Sequence, residues 1–399
     1  MRLEGQVAII TNEGDNYMTN PLRELEALGQ SIWLDDIDRG DLLSGRFKRL
    51  IEEDGLAGAT GNPTIFEHSI THDTAYDEQI QQLIRERKSA QEIYEALAIT
   101  DEQTVADLLR PAYEQTGGQD GFVSIEVSPY LAHDTDKTLA EVRRFWQTIE
   151  RHNLMVKIPS TPEGLPAIHQ ALAEGININI TLMFSLENYR QVAEAYLSAL
   201  EDRLAAGKDI SRIASVASFF VSRVDVLVDQ LLQDKIKATS ASAEQQQLKA
   251  LQGKAAIANA RLAYQEFKRL FSTPRFEALR QHGARVQRPL WASTGTKNPA
   301  YRDVLYVEEL IGPNTVNTMP LKTLESFRDH GRVRLSVEED LPQSQAVLAA
   351  LQATGIDYER VTSQLQEEGV QKFIDSFDKL FQCIEEKRKA LKAKTMPRG

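Results

Sequence analysis

The strongest constraint on what this chain can fold into is a rhythm. Short β-branched or apolar runs recur along it, each followed by a turn signal and then a longer helical pattern, the order expected of βα units. Eight such runs stand out: residues 31–35 (SIWLD), 57–60 (AGAT), 122–127 (FVSIEV), 154–158 (LMVKI), 178–183 (INITLM), 213–218 (IASVAS), 289–293 (PLWAS) and 315–319 (TVNTM). Eight strands alternating with helices over about 290 residues predict a closed parallel (β/α)₈ barrel of the TIM type, slightly above the typical ~250 residues. An open doubly wound sheet is the structural alternative. It is disfavoured because no GxGxxG follows the first run and no GxxxxGK[ST] occurs anywhere.

Two βα connections are too long for plain loops. Residues 73–109 are rich in Glu, Gln, Leu and Ile, and residues 242–270 in Ala, Gln, Lys and Leu, so both are expected to be helical insertions. Residues 321–330 would form the last barrel helix. Beyond it, Val370, Phe373, Ile374, Phe377, Leu380, Phe381 and Ile384 make an amphipathic stripe. The stripe is expected to dock on the barrel, a partner-binding helix being the alternative, and the KRKALKAK tail after it is read as a solvated end. The domain reading is thus an N-terminal extension over residues 1–17, a barrel over 18–330 and a docked C-terminal helical segment over 331–399. Helical sequence begins only after Thr19 and Asn20, with Pro21 suited to an early helical position, so Met18 is a candidate initiator.

Composition narrows the function classes. Lys and Arg total 46 against 58 Asp and Glu, a net charge of -12. This argues against a grip on nucleic acid or on an anionic membrane, while leaving room for local phosphate pockets. The single Cys383 excludes an intramolecular disulfide and Cys-based zinc spacing. With no apolar run of membrane-span length and no secretory start, the expected compartment is the cytoplasm. His68 and His72 have an i,i+4 spacing but lack a third ligand, so they are read as surface residues and no metal is expected. Trp33, Trp146 and Trp291 are read as packing residues, the first and last on strands next to the site.

In a barrel, catalytic groups sit at the C-terminal ends of the strands. Here those ends are unusually polar: Asp35, Thr60 with Asn62, Glu126, Lys157, Asn179 with Thr181, Ser218 and Ser293. Lys157 is the outlier, because burying an ammonium in an LMV-K-IP strand costs several kcal/mol unless it is paired or loses its proton. It reads either as a structural ion pair with Asp35 or Glu126, or as a nucleophile. A neutral lysine attacks carbonyls to form a Schiff base and then needs an acid/base and a water. Glu126 can activate a water held also by Thr181, and Asp35 can accept a proton at the C–C bond step. These residues alone indicate a carbonyl-handling barrel of open substrate.

Seven segments in order, WLDDIDR, GATGNPTIF, VSIEVSPYL, LMVKIPST, GININITLMFS, ASFFVSRVD and WASTGTKNP, resemble the transaldolases, in particular their longer bacterial branch. The resemblance runs from about Thr19 to the C-terminus. It implies a (β/α)₈ barrel and a dihydroxyacetone transfer from sedoheptulose 7-phosphate to glyceraldehyde 3-phosphate, giving erythrose 4-phosphate and fructose 6-phosphate, in the non-oxidative pentose phosphate pathway. By motif, Lys157 resembles the Schiff-base lysine, Glu126 the acid/base working through water, Asp35 the residue handling the hydroxyl proton, and Thr181 the holder of the water. Asn62, Asn179 and Ser218 fall at substrate-contacting positions. Arg223 in FFVSR matches the phosphate arginine, as an Arg clamp on a phosphate would require, and Ser293 a second phosphate ligand. Beyond Ser293 this chain has TGTKN where many relatives carry an arginine; Lys297 either replaces it or is a solvated loop lysine. The related fructose 6-phosphate aldolases tend to have glutamine at the Glu126 position and tyrosine at the Phe220 position, so this pair favours the transferase. No metal or organic cofactor is implied, sugar phosphates are the expected partners, and a monomer or homodimer is the expected state. The competing readings are an aldolase-like lyase and a catalytically silent sugar-phosphate-binding barrel.

Overall fold

The computed structural model describes residues 20–61, 66–67, 69–70 and 74–395. The proposed extension over residues 1–17, Met18, Asn62, His68 and His72 lie outside the described residues. Eight strands close into a parallel barrel: β1 Gln30–Leu34, β2 Leu56–Thr60, β3 Phe122–Glu126, β4 Leu154–Pro159, β5 Ile178–Met183, β6 Ser215–Phe220, β7 Arg288–Ala292 and β8 Thr315–Met319. β8 pairs with β1 over five residues, from Gln30↔Thr315 to Leu34↔Met319, which rules out the open sheet. The central strands are buried along their whole length, as a sheet covered by helices on one face and filled with side chains on the other must be.

Most strand limits fall within a residue or two of the apolar runs, and β5 and β8 coincide with them. β6 is the largest departure: it starts at Ser215 and continues through Phe219 and Phe220. Those two residues pair with Trp291 and Ala292 of β7, so a neighbouring strand extends β6 beyond its β-branched run.

The first long connection holds the helices Asp77–Arg85 and Ala90–Gln115. The second of these starts on a capping box, in which Ser89 accepts from the Glu92 backbone and Glu92 returns the bond. The second connection holds Ser242–Leu251 and Ala255–Leu270. No helix among the described residues is long and apolar enough to cross a membrane.

After the barrel helix Leu321–His330 come Leu341–Ala353 and a 38-residue helix, Tyr358–Thr395. At 1.5 Å per residue the latter extends about 57 Å, enough to cross the barrel mouth and reach the first insertion. Its stripe faces inward: Val370, Phe377, Leu380 and Ile384 are buried, and the Phe377 ring meets Tyr94 edge-on at 5.3 Å. Close approach to the barrel is possible at Gly369, where a Cβ would stand 2.8 Å from Leu182 Cδ2. The KRKALKAK tail is not a free solvated end. Lys387 pairs with Asp77 at 2.7 Å, Arg388 donates to the Lys88 carbonyl at 3.1 Å, and Leu391 is buried. The helix continues through the tail because Lys, Arg, Ala and Leu are strong helix formers, and the first turn of the insertion helix supplies Asp77 to tie it down.

Trp33 and Trp291 are fully buried. Trp33 donates its indole N–H to Asp120 at 2.9 Å, just before β3 begins, so it packs towards the N-terminal end of the barrel and away from the catalytic mouth. Gly58 on the neighbouring strand makes room for it: a Cβ there would fall 2.4 Å from the indole ring. Gly58→Ala is therefore expected to destabilise the protein by about 1–3 kcal/mol through overpacking, measured by chemical denaturation. A change within 0.5 kcal/mol would show that the ring is free to shift.

Candidate active site

Adjacent parallel strands hold register partners side by side. The register of β3, β4 and β5 aligns Glu126 with Lys157 and Lys157 with Asn179. The amine and the carboxylate therefore meet: Lys157 Nζ lies 3.3 Å from Glu126 Oε2, with the two side chains only 9% and 4% exposed. Burial raises the Glu126 pKa, and Lys157 opposes that rise. Apart from Lys157, neither Glu126 oxygen meets a hydrogen-bond partner among the described residues, and the buried Thr181 hydroxyl has none there either.

These groups line a cavity of about 320 Å³ at the C-terminal mouth of the barrel, within the size range of small-ligand sites. Asp35, immediately after β1, enters from the other side. Its backbone N–H donates to the Met319 carbonyl at 2.8 Å, and its carboxylate accepts from Thr60 at 2.9 Å. Thr60 in turn lies 3.1 Å from the hydroxyl of Thr318 on β8.

Arg223 closes a third side. It is the second residue of the helix Ser222–Ala238 that leaves β6, so guanidinium and helix N-terminus share one wall. Among the described residues no carboxylate lies within ion-pair distance of it, and its Nη1 is buried without a partner. Burial accordingly lowers its pKa, against the attraction of Asp35 and Glu126. Its guanidinium carbon stands 5.0 Å from the Phe220 ring and 5.9 Å from the Phe373 ring. Ser293 has a left-handed backbone, φ +57°, and its hydroxyl lies 2.9 Å from that of Ser222. Lys297 is exposed and lines the same cavity from the loop beyond.

Of the ten residues given catalytic or substrate-binding roles from the sequence, eight therefore border one cavity: Asp35, Glu126, Lys157, Thr181, Ser218, Arg223, Ser293 and Lys297. Asn62 lies outside the described residues. Asn179 is not among the lining residues. Its amide donates to Ser124 at 3.1 Å and accepts from Ser218 at 2.6 Å, so it sits in the packed layer beneath and fixes the Ser218 hydroxyl. Thr318 and Phe373 were missed. The Phe373 ring lies 5.7 Å from Lys157 Nζ, yet in the sequence it is one of seven equivalent stripe residues.

A larger groove, about 720 Å³, opens at the opposite end of the barrel. Its buried acid, Asp120, is already saturated by Trp33 at 2.9 Å, Gly121 N–H at 3.1 Å, Arg288 at 3.3 Å and a short bond from Ser31. The mouth, by contrast, combines an amine beside a carboxylate, a second carboxylate, and a hydroxyl without a partner and a half-buried guanidinium without a counter-ion among the described residues. That set suits imine chemistry on a phosphorylated carbonyl compound.

Comparison with known proteins agrees with this chemistry. The family profile described as Transaldolase/Fructose-6-phosphate aldolase matches residues 32–384. A protein named Transaldolase from Trichodesmium erythraeum (strain IMS101) is 48% identical over 376 residues, covering 94% of this chain and 99% of that one. Transaldolase 2 of Nostoc punctiforme is 47% identical with the same coverages, and the Transaldolase of Acidothermus cellulolyticus is 49% identical over 92% of this chain and 96% of its own. Barrel, site and relatives coincide, and the chain belongs to the transaldolase/fructose-6-phosphate aldolase family.

Proposed function

We propose that the chain is a transaldolase whose nucleophile is Lys157. The observation that carries the reading is the 3.3 Å Lys157–Glu126 contact in one cavity with the unpaired Arg223. The Lys157 amine adds to the ketose carbonyl of sedoheptulose 7-phosphate. Glu126, through a water held by Thr181, moves the protons that turn the carbinolamine into the imine and expel the carbonyl oxygen as water. Asp35, oriented by Thr60, takes the proton of the hydroxyl on the carbon beyond the bond to be broken. The C–C bond opens, erythrose 4-phosphate leaves, and the electron pair is delocalised into the protonated imine. The retained three-carbon unit adds to the carbonyl of glyceraldehyde 3-phosphate, Asp35 returns the proton, and water releases fructose 6-phosphate.

A transferase must keep the carbanion-like intermediate unprotonated until the aldehyde arrives. Phe220 supports that role, since it lines the cavity and carries no hydroxyl proton to give. Arg223, with Ser293 and Lys297 beside it, holds the phosphate; Ser218 contacts the hydroxyls. Asn62 keeps the substrate-contact role that the resemblance assigns, whereas Asn179 acts by positioning the Ser218 hydroxyl. The imine itself supplies the electron sink, so the reaction as written draws on no metal or organic cofactor. The reading extends to a cytoplasmic enzyme of the non-oxidative pentose phosphate pathway, working as a monomer or homodimer.

Borohydride added with fructose 6-phosphate should leave a reduced dihydroxyacetone adduct on Lys157, read by intact mass and peptide mapping. Lys157→Ala should lose both the adduct and turnover with an unchanged circular dichroism spectrum; normal activity would reassign the nucleophile. Glu126→Gln is expected to lower kcat by about 10²–10⁴-fold with little change in KM, and a change confined to KM would make it a binding residue. Arg223→Gln should raise KM for phosphorylated substrates by about tenfold or more while leaving non-phosphorylated glyceraldehyde as acceptor unaffected. Equal effects on both acceptors would place the phosphate elsewhere.

A further inference from the structure

Glu102 lies on the helix Ala90–Gln115 and is only 4% exposed. Its neighbour Asp101 is neutralised by Arg39 at 2.7 Å and accepts from Tyr76 at 3.0 Å. Glu102 has no such support: its buried Oε2 has no hydrogen-bond partner among the described residues. The carboxyl rests against the backbone at Gly61, where a Cβ would stand 3.0 Å from Oε1. A carboxylate buried without a partner costs several kcal/mol, and retaining the proton avoids that cost. Burial, with Asp101 adding and Lys157 opposing, pushes Glu102 up to about 8.

The carboxyl faces a second, small cavity of about 30 Å³ that Glu102 shares with Glu126 and Tyr94. A cavity admits a water when it offers roughly 10–15 Å³ or more and a few polar partners, so this one has room for a bridging water. Glu126 borders both cavities. Lys157 borders only the substrate cavity and Glu102 only the small one. The Glu126 carboxylate, held by Lys157 on one oxygen, can therefore be reached from behind as well as from the substrate side.

We propose that Glu102 is a positioning residue for Glu126, donating its carboxyl proton through one water in the small cavity to the Glu126 carboxylate. This rests on the reading of Glu126 as the acid/base. A donor on that side steadies the Glu126 anion, lowers its pKa and fixes the carboxylate plane, leaving the other side for the substrate water. The titratable and charged groups facing the pair are Tyr94 in the small cavity itself, Asp101 with Arg39 on the Glu102 side, and Lys157, Asp35 and Arg223 on the Glu126 side.

The test is the pH dependence of kcat in wild type, Glu102→Gln and Glu102→Met. Loss of the donor in E102M should move the acid limb to higher pH, by on the order of one unit. E102Q keeps an N–H donor and should leave the limb in place. An unmoved limb in E102M would overturn the proposal, as would a downward shift in E102Q, which would mean that Glu102 had been an ionised neighbour. An acid limb that survives in Glu126→Gln would remove the acid/base reading and the proposal with it, whereas a limb lost there and unmoved in E102M would remove only the role of Glu102. Stability gives a second readout, independent of activity and usable if E102M does not fold. The ordinary value of 4.5 applies to unfolded Glu102 and about 8 to the folded state, so the folded chain retains a proton that the unfolded chain releases between these values. The stability carried by that proton is present below pH 4.5 and lost as pH rises towards 8. The denaturation midpoint of E102Q should therefore gain on wild type across this window, and a constant difference would overturn the proposal.

Discussion

A lysine and a glutamate held side by side, almost wholly buried, at the barrel mouth set the terms for the rest of this protein. Taking both out of water costs several kcal/mol per ion even after relaxation, and their mutual attraction offsets this only when the geometry is tight. Lys157 and Glu126 are adjacent because two parallel strands share a register. Neither can be exchanged for an apolar residue without leaving its partner as an unpaired buried charge. The pair is thus a poor device for stability and a good one for reactivity, and the closed barrel supplies the rigidity that keeps it assembled.

The C-terminal helix completes that environment. Its Gly369 allows close contact with Leu182, and Gln366 donates to the Ser160 and Leu182 carbonyls at 3.2 and 3.1 Å, pinning the helix to the ends of β4 and β5. Phe373 then projects over the mouth, near both Lys157 and Arg223. An apolar ring beside both groups lowers the local dielectric and strengthens their attraction for an anion or developing charge held there. The overall charge of -12 and the unpaired Arg223 are compatible because the cation is confined to one pocket and is not spread over a face.

Much of this was legible in the residues. A lysine in an apolar run, acids ending two other runs and a hydroxyl ending a fourth are each costly to bury, and polar residues at consecutive strand ends betray a common mouth. The misses share one cause, which is that partners distant in sequence decide them. Phe219 and Phe220 joined β6 because β7 offered them hydrogen bonds. The KRKALKAK tail, read as a solvated end, is tied down because Asp77, more than 300 residues earlier, pairs with Lys387. Asn179 was consumed by Ser124 and Ser218 from the two neighbouring strands. Glu102 looked like any helical glutamate, and only the fold set it behind Glu126.

The sequence by itself determined the fold class and marked out the costly polar residues at the strand ends, because alternation of apolar runs and the expense of burying charge are local properties written into short segments. The tertiary structure alone decided which of those groups face one another, which are spent on packing and which are left without a partner. Those outcomes depend on strand register, barrel closure and the docking of a helix from the far end of the chain, and distances across a barrel are not encoded in any one segment.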